Sequence, residues 1–203
     1  PGAAYPLIRR MARQAAIEFC ERTRCWREVA CVNAASAEVA VSPIYATIHQ
    51  IENAFVVNEN GERYQLEITD YSSIAEKSRQ ENGPPKYLSQ IHYNAVVLQP
   101  FDPVTLEISM FLKPREGTLP QKNSDGRAVD ALDVVPEFLL GQFGQEIAAG
   151  AIGRTLMIPN QPFSNPSLAP YFLTRFNRAC EMGFAANVTM QHGFISGNTF
   201  QEF

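Results

Sequence analysis

The residue patterns by which many enzyme families are recognised are missing from this sequence of 203 residues. There is no Gly-x-Ser-x-Gly nucleophile elbow, no glycine-rich phosphate loop followed by Lys and Ser or Thr, and no His-Glu-x-x-His zinc motif. Asp130 and Asp133 form a carboxylate pair, but they lie in a polar segment without a neighbouring histidine. We therefore expect no catalytic residues, no cofactor and no enzymatic activity.

Residues that commonly bind metals are sparse as well. None of the cysteines has the Cys-x-x-Cys spacing of zinc sites, and the histidines are scattered singly. We expect no metal site. We expect the cysteines to be small buried apolar residues in a reducing compartment. The residues concerned are Cys20, Cys25, Cys31, Cys180, His49, His92 and His192.

Long uncharged apolar runs and a basic excess are also absent. The most apolar segment, FLLGQFGQEIAAGAIGRTLMI, contains Glu146 and Arg154, and a bilayer span needs roughly 18 uninterrupted residues. PGAAYPLIRRM lacks the apolar core of a secretory signal, so we expect no leader. The net charge of -4 argues against a nucleic-acid-binding domain, although Arg9, Arg10 and Arg13 form a local basic cluster, more typical of a solvated helix face.

Helical periodicity is present at both ends of the chain. Apolar residues recur every three or four positions, which predicts helices over 7–23, 136–157 and 167–187. We expect these helices to pack as one bundle with a buried stripe of Phe19, Phe143, Ile147, Phe172 and Phe176. The second helix contains four glycines, which we interpret as sites of close helix approach: Gly141, Gly144, Gly150 and Gly153.

The middle of the chain, about 29–114, is rich in β-forming residues. Asn60-Gly61 is a strong hairpin signal, because a type I′ turn needs positive φ at both central positions, and it predicts pairing of 55–57 with 64–68. A short helix is expected at 71–78, a strand with a turn near Asn94, and a last strand that alternates at Leu106, Ile108 and Met110. The polar segment 115–130 is predicted to be a surface loop.

The order of these elements predicts an α+β fold. A helical bundle forms from the N- and C-terminal segments, with an antiparallel β module inserted between them. We expect a single domain over 1–187, followed by an extended tail over 188–203. The tail is rich in glycine and aromatic residues, so we expect it to become ordered on a partner.

A proline-rich stretch, RTLMIPNQPFSNPSLAPYFLTRF, separates the last two predicted helices. Pro159 and Pro162 stop the first helix, because proline lacks an amide donor and restricts the residue before it. Asn160 tolerates a tight turn, and Asn165 is a typical N-cap. The next helix begins at Pro166 or at Ser167, two starts that the sequence leaves open because Pro170 would lose a backbone bond in the first case.

This stretch resembles the C-terminal part of head-to-tail adaptor proteins of short-tailed bacteriophages. In that family a Gly/Ala-rich helix ends in Leu-Met-x-Pro, a loop with proline and an aromatic follows, and Ser-Asn-Pro precedes a Leu-Ala-x-Tyr helix. The matching residues are Leu156, Met157, Pro159, Pro162, Phe163, Ser164, Asn165, Pro166, Leu168, Ala169 and Tyr171. AAIEFCERTRCWRE is similar to the family's first helix, which ends in Arg-x-Trp, and the resemblance covers about a third of the chain.

The resemblance implies a structural virion protein. Such adaptors form a ring, usually of twelve copies, that joins the capsid portal to the tail and extends the DNA channel without sequence-specific DNA binding. The expected partners are the portal protein, tail nozzle or tail-fibre proteins, and further copies of the chain. The expected location is the head–tail interface of the virion, after synthesis in the host cytoplasm.

Two sets of residues are candidates for these contacts. In the family the C-terminal tail docks on the portal, and the residues in that place here are Phe194, Ile195, Phe200 and Phe203. Two polar loops are candidate assembly surfaces, with residues Asn60, Gly61, Lys122, Asn123 and Asp125. Two alternatives remain: another ring-forming tail-completion or tail-tube component, and a ligand- or glycan-binding β module on a helical stalk.

Overall fold

The structure is a computed structural model that describes residues 4–43, 45–58, 60–73, 83–115, 120–122, 128–130 and 135–193. The chain divides into two compact units. The helical unit comprises 1–25 and 135–203, and the β unit comprises 26–134. The α+β organisation with an inserted β module is confirmed. The grouping of 1–187 as a single domain stays a prediction.

The helical unit is built from α1 (Ala4–Thr23), α2 (Glu137–Leu156) and α3 (Ala169–Gly193). Helices α1 and α3 run in the same direction, since Phe19 packs near Phe176 and, one turn later in α1, the Thr23 carbonyl accepts a hydrogen bond from Asn187. Helix α2 runs antiparallel to α3, because Gly150 faces Phe176 and Gly153 faces Leu173. The N-terminus of α1 therefore lies at the same end of the unit as the α2–α3 loop.

The core of the helical unit is smaller than the sequence predicts. Phe19, Ile147 and Phe176 are buried as expected. Phe143 and Phe172 are only half-buried, so the predicted stripe is wrong at these two positions. Residue 143 has non-helical backbone angles (φ -125, ψ 15), and this kink changes the faces that α2 presents before and after it. Only the part of α2 after the kink follows the predicted spacing closely.

The four glycines of α2 have two different environments. A Cβ atom on Gly150 would lie 2.6 Å from the Phe176 ring, and one on Gly153 would lie 2.7 Å from Leu173. These two glycines allow the close approach of α3 that the sequence predicts. A Cβ atom on Gly141 or Gly144 would have nothing within 4 Å among the residues that the structure describes, so at these two positions no described helix makes the predicted close approach. The kink at residue 143 separates the first half of α2 from the half that packs on α3.

The β unit contains two four-stranded sheets, in the orders β1-β8-β3-β4 and β2-β7-β6-β5. Strand β8 is central to the first sheet, and its Leu106, Ile108 and Met110 are fully buried, as the alternation predicts. The bounds are β1 Arg27–Ala34, β2 Glu38–Ala40, β3 Ala46–Val57, β4 Arg63–Gln65, β5 Glu67–Ile68, β6 Tyr87–Gln90, β7 Ala95–Gln99, β8 Val104–Pro114, β9 Pro120–Lys122 and β10 Ala128–Asp130.

The strand predicted over 64–68 is two strands in different sheets. Strand β4 pairs antiparallel with β3, with Val56 opposite Tyr64. Strand β5 pairs parallel with β6 in the second sheet. The chain changes sheets at Leu66, whose side chain is buried. The sequence alternation continues across this point, so it could not reveal the change of partner.

Three other segments differ from their predicted form or lie partly outside the described residues. The segment 115–130, predicted to be a loop, contains the antiparallel hairpin β9–β10, and its residues 116–119 and 123–127 lie outside the described part. The first turn of the helix predicted at 71–78 is present at 71–73, and the remainder also lies outside it. Helix α3 continues to Gly193, six residues beyond its predicted end at 187.

The later end of α3 has a simple cause. The residues 188–192 contain no proline or glycine, so nothing before Gly193 stops the helix, and glycine is common just after a helix end. The expected tail therefore begins after residue 193 and not at 188. The remaining tail residues, 194–203, lie outside the described part of the chain.

Candidate assembly surfaces

The loop between α2 and α3 closes by hydrogen bonds. The Met157 amide donates to the Arg154 carbonyl at 3.3 Å and ends α2 two residues before Pro159. Asn160 has a φ of 60°, the left-handed conformation that asparagine tolerates better than most residues. The Asn165 amide then donates to the Leu156 carbonyl at 2.9 Å. The sequence prediction of a tight helical hairpin is confirmed.

The start of α3 differs from both sequence alternatives. Asn165 Oδ1 accepts a hydrogen bond from the Leu168 amide at 3.2 Å, and the Asn165 carbonyl accepts one from the Ala169 amide at 3.1 Å. The helix begins at Ala169, after a turn that Asn165 caps. Pro170 then lies in the first turn, where its missing amide donor costs nothing.

A polar cluster joins the three helices. The Glu18 carboxylate contacts the Arg154 guanidinium and lies 3.1 Å from Arg22, which donates to Asn177 at 2.6 Å. The Arg154 guanidinium also lies 4.9 Å from the centre of the Phe176 ring. Sequence reasoning missed this cluster, because its contacts between α1 and the other two helices join residues more than 100 positions apart. The cluster ties α1 to α2 and α3.

The four cysteines differ in their burial. Cys20 and Cys180 are buried, Cys25 is partly exposed, and Cys31 is exposed, so the expectation of buried cysteines is wrong for Cys31. Cys31 lies on the solvent-facing side of β1, where exposed and less exposed residues alternate. Hydrogen bonding with Cys25 and burial raise the pKa of Cys20, and the same bond lowers the pKa of Cys25. Burial raises the pKa of Cys180 to about 11.

Large apolar side chains are exposed at the end of the helical unit that holds the α1 N-terminus and the α2–α3 loop, which we call the loop end. Monomeric proteins rarely expose many such side chains close together. The exposed fractions are largest for Tyr5 (68%) and Tyr171 (64%). The exposed residues are Tyr5, Ile8, Met157, Leu168 and Tyr171.

The predicted assembly loops lie in the β unit. Asn60 and Gly61 are exposed at the β3–β4 turn, where Gly61 donates to the Asn58 carbonyl at 2.9 Å. Gly61 has a φ of 78°, and its bond to Asn58 makes it the last residue of the turn and not a central one, so the predicted type I′ turn centred on Asn60-Gly61 is wrong. A turn bond followed by a left-handed glycine is typical of a longer hairpin loop. Because this loop has extra residues, only its glycine needs the left-handed conformation.

The other predicted contact residues are only partly described. Lys122 ends β9, in a hairpin separate from the β3–β4 sheet, and Asn123 and Asp125 lie outside the described residues. The candidate portal-binding residues also lie outside them: Phe194, Ile195, Phe200 and Phe203. Their roles stay predictions.

Open cavities lie on the surface of the β unit, and two of them have charged residues in their lining. One, of about 630 Å³, has Glu38, His92, Tyr93 and Arg115 in its lining. His92 Nε2 lies 3.6 Å from a Glu38 carboxylate oxygen, and the Arg115 guanidinium lies 4.3 Å from the centre of the Tyr93 ring. The second, of about 440 Å³, is lined partly by Ile68, Asp70 and Tyr71.

The described residues contain neither a metal-binding cluster nor a helix suited to crossing a membrane. Among them, no group of three or more His, Cys, Asp or Glu side chains is placed to hold a metal ion. None of the helices, as far as they are described, is long and apolar enough to cross a bilayer.

No protein-family model matches the chain, and no curated protein matches its sequence significantly.

Proposed function

We propose that this chain is a head–tail adaptor of a short-tailed bacteriophage: a structural protein whose ring joins the capsid portal to the tail. The observation that carries the proposal is the α2–α3 hairpin. Its sequence resembles the family's Leu-Met-x-Pro and Ser-Asn-Pro pattern, and three residues of the hairpin have clear structural roles. Pro159 follows the end of α2, Asn160 makes the turn and Asn165 caps the turn into α3.

The grouping of the helices also supports the proposal. The first helix and the last two helices, far apart in sequence, form one packed unit, as expected for a chain that carries the motif at one end and the Arg-x-Trp helix at the other. Exposed apolar side chains at the loop end are suited to contacts with further subunits. We place the protein at the head–tail junction of the virion, without cofactor or enzymatic activity.

The charge of the chain is compatible with a DNA conduit. A channel wall that neutralised many phosphates would hold the genome strongly, because each released counterion contributes to affinity. The net charge of -4 avoids such binding for the ring as a whole. DNA would pass through the ring without sequence-specific contacts.

The proposal is tested by assembly with the portal protein of the same phage. The two purified proteins are mixed, and the products are examined by mass photometry and electron microscopy. We expect closed rings of this chain bound to one face of the portal. A chain that remains monomeric and does not bind the portal contradicts the proposal. Rings that form on tail components but not on the portal favour a tail-completion or tail-tube protein.

A ligand- or glycan-binding β module is the second candidate, and one observation favours it. The cavity near Tyr93 combines an exposed aromatic ring with Glu38, His92 and Arg115, and such a mixture can stack on a sugar ring and bind its hydroxyls. A glycan array, followed by calorimetry with the Tyr93→Ala variant, tests this candidate. Saturable binding that this variant loses, together with no portal binding, supports it over the adaptor.

A further inference from the structure

The loop end of the helical unit combines exposed apolar side chains with a charge of one sign. Residues 4–17 and 147–180 contain no Asp or Glu, whereas Arg9 and Arg10 are exposed next to Ile8 near the N-terminus of α1. Because α1 and α3 run in the same direction, this part of α1 lies at the same end as Tyr171. Tyr, Met and Arg are enriched in protein interfaces. The surface therefore suits an acidic protein partner with apolar groups.

The β unit exposes carboxylates and two large apolar side chains next to one another near β5. Glu67 and Asp70 are exposed in and just after β5. Ile68 lies between them in sequence and is 41% exposed, and Tyr71, which follows Asp70, is 52% exposed. Ile68, Asp70 and Tyr71 line the cavity of about 440 Å³, whose described lining contains no Lys or Arg. We call Glu67, Ile68, Asp70 and Tyr71 the β5 patch. Its Asp70 carboxylate and the side chains of Ile68 and Tyr71 lie at a depression that can receive a side chain.

The two units as wholes also carry net charges of opposite sign. The helical unit contains eight arginines and six glutamates, whereas the β unit contains nine Lys or Arg and fifteen Asp or Glu residues. The overall charge of -4 thus hides a basic and an acidic part. Such asymmetry favours contacts between unlike parts of two copies and disfavours contacts between two β units, because like charges across an interface cost affinity.

We propose that the loop end of one copy docks on the β5 patch of a second copy, with Arg10 near Asp70 and the apolar side chains of both surfaces in contact. The two surfaces differ, so the contact is heterologous: each copy uses one surface for each neighbour. Repetition of a heterologous contact closes into a ring when its rotation permits. The proposal rests on the proposed ring function and names the surfaces that would form the ring.

Charge reversal tests the contact. Arg10→Glu and Asp70→Arg are made singly and together in the full chain, and self-association is measured by analytical ultracentrifugation with and without the portal protein. Each single variant is expected to weaken self-association about tenfold or more, because it places like charges opposite each other. The double variant restores the opposite charges and should recover most of the association. Arg178→Glu and Asp102→Arg, exposed charges elsewhere in each unit, are matched controls.

The outcomes separate this inference from the proposed function. If the unmodified chain forms rings on the portal and both single variants do so equally well, the docking inference is wrong and the adaptor function stands. If association depends on Arg10 and Asp70 but the portal is not bound, the docking inference stands and the adaptor function fails. Weakened heparin or DNA binding by Arg10→Glu, with unchanged self-association, overturns the inference and identifies a polyanion site. A chain that never self-associates contradicts both.

Discussion

Phe176 is the side chain on which the helical unit depends most. It is 1% exposed, its ring lies 6.2 Å from that of Phe19, and it fills the space that Gly150 leaves open. Sequence periodicity identified it together with Phe172, because the two are four positions apart on one helix face. The structure separates them, since Phe176 is buried and Phe172 remains half-buried.

Truncation of these two phenylalanines should therefore have unequal effects. We expect Phe176→Ala to lower the free energy of unfolding by about 3–5 kcal/mol, because a large buried side chain leaves a cavity. Phe172→Ala should cost about 1–2 kcal/mol, because much of its ring is already in contact with water. Urea unfolding measures both. Equal losses would mean that Phe172 is covered by a neighbouring molecule in solution or that the core differs from the one described.

The glycines of α2 provide a second comparison between matched residues. Gly141→Ala and Gly144→Ala should raise the free energy of unfolding by up to about 1 kcal/mol each, because alanine favours helix and its Cβ meets nothing within 4 Å. Gly150→Ala and Gly153→Ala should lower it by about 1–3 kcal/mol, because the new methyl group overlaps Phe176 or Leu173. Thermal and urea unfolding of the four variants give the signs. The same sign at all four positions contradicts the described packing.

Cys180 should make stability depend on pH in the alkaline range. Its pKa is about 11 in the folded protein, whereas the ordinary value for a solvent-exposed cysteine, as in the unfolded chain, is 9.0. A raised pKa means that the folded state retains the proton longer, so this stabilisation is complete below pH 9 and is lost as pH rises towards 11. The free energy of unfolding relative to Cys180→Ala should fall across that range. A flat difference between pH 8 and 11 would show that the thiol is not buried.

Helices and strands were predictable where local pattern and tertiary contacts agree. Helix α2 begins and ends within one residue of its predicted bounds, because Pro136 and Pro159 delimit it. Strand β8 was predictable because its buried residues alternate regularly. The division of 64–68 between two sheets was not, since strand pairing depends on partners far away in sequence. The Glu18–Arg154 contact was not predictable for the same reason, because the two residues lie far apart in sequence.

The end of α3 leads to a prediction about the tail. A chain that stops after Gly193 retains the whole described helix, so its melting temperature should be unchanged. If the four apolar tail residues are the anchor, the same chain should lose binding to the portal. Thermal unfolding and portal pull-down measure the two effects. A chain that stops after residue 187 is the control, because it also removes the last helical turns. Lower stability with retained portal binding in the first variant would place the tail in the core.

The protein as a whole combines a helical unit with a net positive charge and a β unit with a net negative charge. The sequence predicted the α+β class and the helical hairpin, because turn residues and periodicity act locally. It did not predict the exposed loop end or the β5 patch, because exposure depends on helix directions and on the change of sheets at Leu66. The candidate portal residues came from the resemblance, and their place in an assembly stays a prediction.

Assembly with the portal tests the adaptor proposal most directly. The full chain is mixed with the portal protein of the same phage, and the complex is imaged by cryo-electron microscopy without imposed symmetry. The account predicts a closed ring of this chain on one face of the portal, with the loop end of each copy against the β5 patch of the next. Portal particles without added density, together with a chain that remains monomeric, would contradict it.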